Sequence, residues 1–486
     1  MMRVGILILV ISLLVVGVLA TTTFLHPSTH QITSVKPGET DTHTTVQTAM
    51  SPSMTRLNLI AKLEGDAIPL WFDRGVLYLA HGLISVVTGQ DGGGVDLVKL
   101  DVGSDSMVKV TTLRDDWRGQ VYLHLAVGQP IFDSDKAYFL MENMQLAKIV
   151  DLNSGEMWTV DRRGTYLYFV GAGAGVLYAL DAASGDISLV AIDNMGNELW
   201  RSPREPLVLK DPYQYIIFRA GEVPRFLLVE ANGFVERSGG WFATPTLLTI
   251  TISPDGKAKV ERRHISGEIG PMPAISSGGW AAAARDGYYV LVVFGQRLFL
   301  CRLGVEMSIM WCNDFGEYRI DLSNGGILLH TFGEGVLVGF PYQYRLNTTY
   351  EAYGVRIRLA FYGQDGKLVW SSNYTPNDLP FNFNVVGEHG GSLYALIPDG
   401  KQFIGPVSQG TKITLVRIGR DGTINAILSV KDFLAAELFR GEDPWSYRFS
   451  DDIHAIIIDN KLILTTKASV KDHVYTYVVA FERILQ

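Results

Sequence analysis

Cys301 and Cys312 are the only cysteines among the 486 residues, and their spacing suits oxidation to a disulfide. Cys301 ends the apolar run LFLC, Cys312 follows IMW, and the turn between them centres near Glu306 and Met307. On antiparallel strands that symmetry sets the two residues opposite each other, about 4.5–5.5 Å apart at Cα, a span a disulfide can bridge. The alternative is two buried thiols packed as small hydrophobes; the bridge is the expectation. Asn347-Thr348-Thr349 and Asn373-Tyr374-Thr375 are acceptor sequons for N-linked sugar, the second followed by Pro376.

Other polar groups suggest chemistry without completing a motif. Asp451, Asp452 and His454 form the best cluster for a catalytic or metal role, although they also suit a capped strand entry. The acidic stretches DVGSDS (101–106) and DSDK (133–136) offer oxygens of the kind calcium takes. Neither has EF-hand spacing, and Asp and Ser are ordinary turn formers. VGAGAG (170–175) looks like a dinucleotide loop, yet it leads into a strand-like run and not into a helix whose N-terminus could hold a phosphate. Its glycines are expected to turn the chain between two strands. No HExxH, CxxC or GxSxG occurs. No cofactor and no metal site is expected.

Composition sets the class of molecule that carries these groups. Hydrophobic residues are 47% and charged residues 19%, which leaves material for a large core and argues against disorder. The 50 glycines point to many tight turns. A net charge of −8 over this length gives no basic face for nucleic acid.

The N-terminus carries an address. Arg3 precedes VGILILVISLLVVGVLA (4–20), uncharged and with Ser12 as its one polar residue. Its length lies between a secretory signal core and a membrane span, so residues 1–20 fit a removed signal peptide or a retained anchor. Either reading places the remainder outside the cytoplasm, secreted or tethered to a membrane through its N-terminus. Residues 21–55 hold eleven Thr and four Ser with almost no apolar periodicity, which predicts a flexible stalk. His26, His30 and His43 lie within it at irregular spacing, without metal-site character.

From residue 56 onward short alternating strands are separated by glycine-containing turns, the pattern of a sandwich, barrel or propeller. The turns DLNSGEMW (151–158), DNMGNELW (193–200), GQDGKLVW (363–370) and GRDGTINA (419–426) mark a repeat of four strands. In the first repeat these are AIPLWF, VLYLAHG, VDLVKLD and MVKVTTL, between 67 and 113. The last repeat lacks one strand, and RLNLIAKL (56–63) precedes the first repeat without belonging to any. Pairing it with YTYVVAFE (475–482) removes both exposed edges. The expectation is an all-β chain, one eight-bladed propeller of four-stranded blades over 56–486, closed by its terminal strands.

VLYALDAASG (176–185) and DGKLVW (365–370) resemble the repeats of the quinoprotein alcohol-dehydrogenase-like, or PQQ-like, propellers. The resemblance implies that a Trp beyond the turn packs between blades, a position matched by Trp158, Trp200, Trp311 and Trp370. Val260 or Ala426 stands there in other repeats. Quinone-dependent members use adjacent cysteines, which this chain lacks, so the resemblance carries a fold and no quinone.

Four-stranded blades place two classes of connection on each face. Long segments fall on one face: 83–94, 232–244, 343–353, 400–410 and the connection 431–449, which contains a short predicted helix. The opposite face receives tight turns. Trp241, Phe242, Tyr344, Tyr350, Tyr353 and Trp445, with Tyr342, give the long-loop face aromatic anchors of the kind found in interfaces or glycan sites. They serve equally to pack the loops together. The expected function is a binding or scaffold protein presenting that face to an envelope or cell-surface protein or polymer. The alternative is an extracellular oxidoreductase or hydrolase with its site at the central channel.

Overall fold

Alternating apolar runs of five to ten residues, broken by Gly, Asp and Asn, form strands because each run can bury one or both faces of a pleated sheet. A computed structural model of the chain describes residues 47–48 and most of 56–485. Loops at 83–93, 115–129, 202–214, 318–326, 346–352 and 375–383, several shorter ones, and the side chains of 202–279 lie outside the described residues. The fold is all-β, a β-propeller of four-stranded antiparallel sheets, with one helix, Val430–Leu438 (α1), among the described residues.

In chain order the sheets occupy residues 66–114, 131–161, 166–201, 215–264, 277–317, 328–374, 384–429 and 447–482. The first contains Asp66–Asp73, Val76–Gly82, Val95–Asp101 and Ser106–Arg114, within a residue or two of the sequence expectation. The last sheet takes its outer strand from the other end of the domain. Arg56–Glu64 pairs antiparallel with His473–Glu482, with Arg56 opposite Glu482 and Glu64 opposite Tyr475. The sheet of 384–429 gains a fifth strand, Gln47–Thr48, parallel to its outer strand at Asn425 and Ala426. Those two residues fall inside the segment expected to be a stalk.

Apolar seams hold the sheets face to face. Trp71 stacks on Phe132 at 4.8 Å between the first and second sheets, above Leu97, Ala137, Phe139 and Val150. Ile149, Leu167, Leu177 and Val190 fill the next seam. Leu77, Leu79 and Val98 of the first sheet meet Ile463, Val478 and Ala480 of the last. Polar contacts finish that junction: the Ala67 N–H donates to Thr476 Oγ1 at 2.9 Å, and Lys467 Nζ lies 2.8 Å from Asp66 Oδ1.

The Trp expected between blades does its work at the turns. Trp311 donates its indole N–H to Gln364 O at 2.9 Å in the next sheet, and Trp370 donates to Arg420 O at 2.8 Å in the sheet after that. Gly366 (φ +80°) and Gly422 (φ +85°) lie against those rings, where an added Cβ would come within 2.8 Å. Trp158 packs on the seam with the third sheet, but Val160 and not Trp158 meets Gly196; Val110 likewise meets Gly155. Trp200 tilts on Tyr178 of its own sheet at 6.3 Å.

The same turns repeat an Asp that caps them. Asp151 Oδ1 accepts the Asn153 and Ser154 N–H groups at 2.9 and 2.7 Å, and Asp101, Asp193, Asp365 and Asp421 do the same in their turns. Asp151 also accepts from the buried Lys136 ammonium. That bond first, then the turn N–H groups, pull its pKa down to about 2. Burial opposes the charge on Lys136, but its bond and attraction to Asp151 outweigh this and raise its pKa.

Cys301 and Cys312 stand in register on the third and fourth strands of the fifth sheet and form a disulfide, Cα–Cα 4.1 Å. The separation is slightly tighter than the expected range. Of the VGAGAG glycines, expected to turn the chain, only Gly175 (φ +76°) lies in the turn; Gly171 and Gly173 pair within the strand Tyr166–Gly173, Gly171 just after a register shift.

Trp370→Ala should destabilise the fold by about 3 kcal/mol. Gly422→Ala should be less damaging in that background than alone, because the ring it strikes is gone; additive losses in urea unfolding would refute the docking. Acid should reveal Asp151. Its folded pKa is depressed, so its contribution is complete above the ordinary aspartate pKa of about 4 and is lost as pH falls through about 2. Asp151→Asn should lose about 2 kcal/mol at neutral pH and flatten the dependence of Tm on pH across that window.

Candidate functional site

Strand direction decides which loops share a face. Turns from the first to second and third to fourth strands emerge together, and we call that side the turn face. Connections from the second to third strands and between sheets emerge on the other side, the loop face.

On the loop face three of the long segments prove to be strands, the connection after the sheet of 384–429 carries α1, and 83–93 lies outside the described residues. In the fourth sheet the insertion forms the hairpin Val235–Arg237 and Gly240–Ala243. A third strand, Ile269–Met272, joins it from the connection to the fifth sheet. In the sixth sheet Gly335–Arg345 and Tyr353–Tyr362 run on as an arm, paired from Val336–Tyr362 out to Arg345–Tyr353. In the sheet of 384–429, Ser392–Ile404 and Ser408–Ile418 make a longer arm, offset by an irregularity between Pro398 and Lys401. The fifth sheet lies between two of these projections and has no arm: Gly287–Phe294 and Arg297–Gly304 are joined through 295–296. The result is a low floor between raised neighbours.

That floor carries charge. Arg297 donates Nη2 to Asp314, with the guanidinium carbon 5.7 Å from the Phe299 ring. Both members of the pair are about one-third exposed. The pair can offer a cation and an anion side by side to a polar ligand. Neither residue stood out in the sequence: the strands set Arg297 opposite Glu317 and Phe299 opposite Asp314, and the two side chains meet diagonally across the register shift between those pairs.

The sequence candidates are distributed over this face. Trp241 stands opposite Glu236 and Met272 on the small three-stranded sheet, and Phe242 opposite Val235. Tyr344 lies opposite Gly354 and Tyr353 opposite Arg345 at the end of the sixth-sheet arm, so they are not a cross-strand pair. Tyr342, nearer the base, donates its hydroxyl to Asn373 Oδ1 at 3.3 Å. Asn373 is half-buried on the outer strand. Tyr350, Trp445 and Asn347 lie outside the described residues.

The groups weighed for metal or catalysis are placed as follows. Ser450, Asp451 and Asp452 form a bulge between Phe449 and Ile453, and His454 pairs in register with Thr465. Asp101 accepts from its own turn, and Asp133 Oδ2 accepts the Gly175 N–H of the next sheet at 3.2 Å. Among the described residues no three His, Cys, Asp or Glu side chains gather to hold a metal ion. His330, on the first strand of the sixth sheet, was not singled out by sequence; burial pushes its imidazole pKa down.

No family model and no curated protein matches the chain. Solved β-propeller structures resemble it. The WD40 domain of SCAP from fission yeast aligns at 8% identity over 89% of this chain and 99% of that one, TM-score 0.41. Dihydro-heme d1 dehydrogenase NirN aligns at 12% identity over 86% and 77%, TM-score 0.45. Apo AztD from Citrobacter koseri aligns at 13% identity over 77% and 97%, TM-score 0.37. Likeness at these scores bears on no activity.

The arms are separable from the core. The outer part of the long arm, Lys401–Ile404 paired with Ser408–Thr411, lies beyond the register shift that starts at Pro398; among the described side chains, Ile397 and Ile413 are the last buried positions before it. Replacing 399–412 with a short Gly-containing turn should therefore leave Tm within about 2 °C of the parent in a thermal scan, since surface changes away from the core shift stability little. A large drop would make the arm part of the fold.

Proposed function

We propose that the protein is a non-enzymatic, extracytoplasmic binding or scaffold propeller that presents its loop face to an envelope or cell-surface protein or polymer. The carrying observation is the asymmetry of the two faces. Three paired-strand projections rise on one side, while tight, Asp-capped turns trim the other. Ordered projections on a rigid scaffold are where binding residues usually sit.

The finer architecture belongs to the same reading. We take the ring to have eight blades of the PQQ-like type, closed by Arg56–Glu64 as the outer strand of the last. The register of that strand with His473–Glu482, and the apolar cluster shared by the first and last sheets, support closure. The indole bonds of Trp311 and Trp370 support the repeat type. Residues 1–20 act as signal or anchor and residues 21–55 as the tether. The disulfide supports an oxidising compartment, where such bonds persist. Asn347 and Asn373 are the proposed glycan acceptors in a host that glycosylates.

Affinity capture of the full chain from its native membranes tests the function, alongside an absorbance scan of the purified protein. The expected result is a defined partner that is lost when 399–412 is replaced, with no visible chromophore. Equal capture by the shortened protein, or turnover with a bound cofactor, would replace this reading with the enzymatic one.

A further inference from the structure

Among the described residues, the exposed large apolar side chains, apart from Leu59 (43% exposed) on the strand Arg56–Glu64, lie in or just after third-to-fourth-strand turns, Val305 (51%) in the turn of the fifth sheet among them. In the first sheet they are Met107 (45% exposed) and Val108 (50%), and in the third Met195 (59%) and Leu199 (53%). In the fifth and sixth sheets they are Met310 (56%), Leu368 (47%) and Val369 (58%). Met107, Leu199, Met310 and Val369 are each the second residue of an outer strand, directly after a turn on the turn face. Met195 lies in such a turn. Scattered exposed apolar residues are ordinary. Repetition of one position in four sheets is a different matter: it sets apolar side chains at intervals around the rim of a single face.

The chain upstream meets the propeller on that same side. Glu64 marks the loop-face end of its strand, since His473 Nδ1, just after a second-to-third-strand turn, lies 3.2 Å from Glu64 Oε1. Arg56, at the other end opposite Glu482, is therefore at the turn face. Gln47 pairs with Asn425, the second residue of its outer strand, also at the turn-face end. The polypeptide leading from the apolar run Val4–Ala20 thus reaches the domain at the rim that carries the exposed residues. Residues 21–46 can span at most about 90 Å fully extended, which bounds the distance between the two.

We propose that the rim of the turn face rests on a zwitterionic lipid bilayer, the one that Val4–Ala20 enters, so that the loop face points away from it. The proposal rests on the anchored reading of the N-terminal segment. A flat lipid surface can receive several separate side chains around a ring at once, each gaining by burial in the interface. A protein partner of ordinary size covers about 800 Å² on one side and would reach only a sector. Charge selects the lipid: Asp73, Asp101, Asp135, Asp151, Asp193, Asp365 and Asp421 in the turns of this face outnumber their neighbours Arg74, Lys136 and Lys367, and the excess would be repelled by anionic headgroups.

Two full-length variants test this, Val369→Cys on the rim and His473→Cys on the loop face, each labelled with a thiol fluorophore with the native disulfide left oxidised. Each is reconstituted into phosphatidylcholine vesicles containing nitroxide-labelled acyl chains. The expected result is flotation of both proteins with the vesicles, loss of emission at 369, unchanged emission at 473, and weaker quenching at 369 when phosphatidylglycerol is added. Flotation with equal emission at both sites, or quenching at 473 alone, overturns the orientation while leaving the anchor standing. Failure to float removes the anchor and the orientation with it. Shielding of 369 without lipid, in a particle of twice the mass, would assign the rim to a second copy and overturn the proposal.

Discussion

A sheet that is apolar on both faces cannot end at water, and this constraint governs the molecule. Along Val95–Asp101, Leu97 faces the second sheet, while Val98 and Leu100 enter the cluster shared with the last. All three are buried. Ile149 and Val150 divide between two seams in the same way. Burial at roughly 25 cal/mol per Å² makes such seams the main favourable term. A sheet built this way needs a neighbour on each apolar face, and Arg56–Glu64 completes the last sheet, which shares an apolar cluster with the first.

Close packing of neighbouring sheets restricts the turns between the third and fourth strands. Gly366 and Gly422 sit under indole rings where no side chain fits, and each adopts a positive φ that glycine tolerates best. In five of these turns Asp101, Asp151, Asp193, Asp365 or Asp421 satisfies N–H groups that the strand ladder leaves free, so these turns stay short and alike. Connections on the loop face are more varied: α1 buries Val430, Phe433 and Leu434 against the sheets, while others project. They can lengthen, and in the sixth and following sheets they lengthen as paired strands that satisfy their own backbone groups.

These restrictions explain what could be read before any coordinates. Strands of the first sheet were readable to within a residue or two because apolar alternation stops at Gly75 and resumes at Val76. The disulfide followed from the symmetry of Cys301 and Cys312 about a turn. The strands Val235–Arg237, Gly240–Ala243 and Ile269–Met272 were not readable: at three or four residues, the alternation is too short to distinguish from a loop. Nor was the exchange of roles between Trp158 and Val160 at Gly196, which depends on a two-residue offset between neighbouring sheets. Gln47–Thr48 sits in a Thr-rich segment with no apolar period that would have marked its backbone pairing with Asn425 and Ala426.

The candidate site was harder to read than the fold for a related reason. Seams demand particular volumes at particular positions, so they leave a pattern in one sequence. Paired arms demand only backbone hydrogen bonds, which nearly any side chain permits, and so position 344 or 353 could carry many residues without disturbing the scaffold. The Arg297–Asp314 pair shows the consequence: its members lie seventeen residues apart in unremarkable contexts and meet across a register shift between the third and fourth strands of the fifth sheet, the sheet whose loop is short where its neighbours have tall ones. Recognition on such a face is set by the heights of adjacent projections and by what the register brings to the floor between them. Local motifs record neither, which is why a strong repeat and a weak functional signature occur in the same chain.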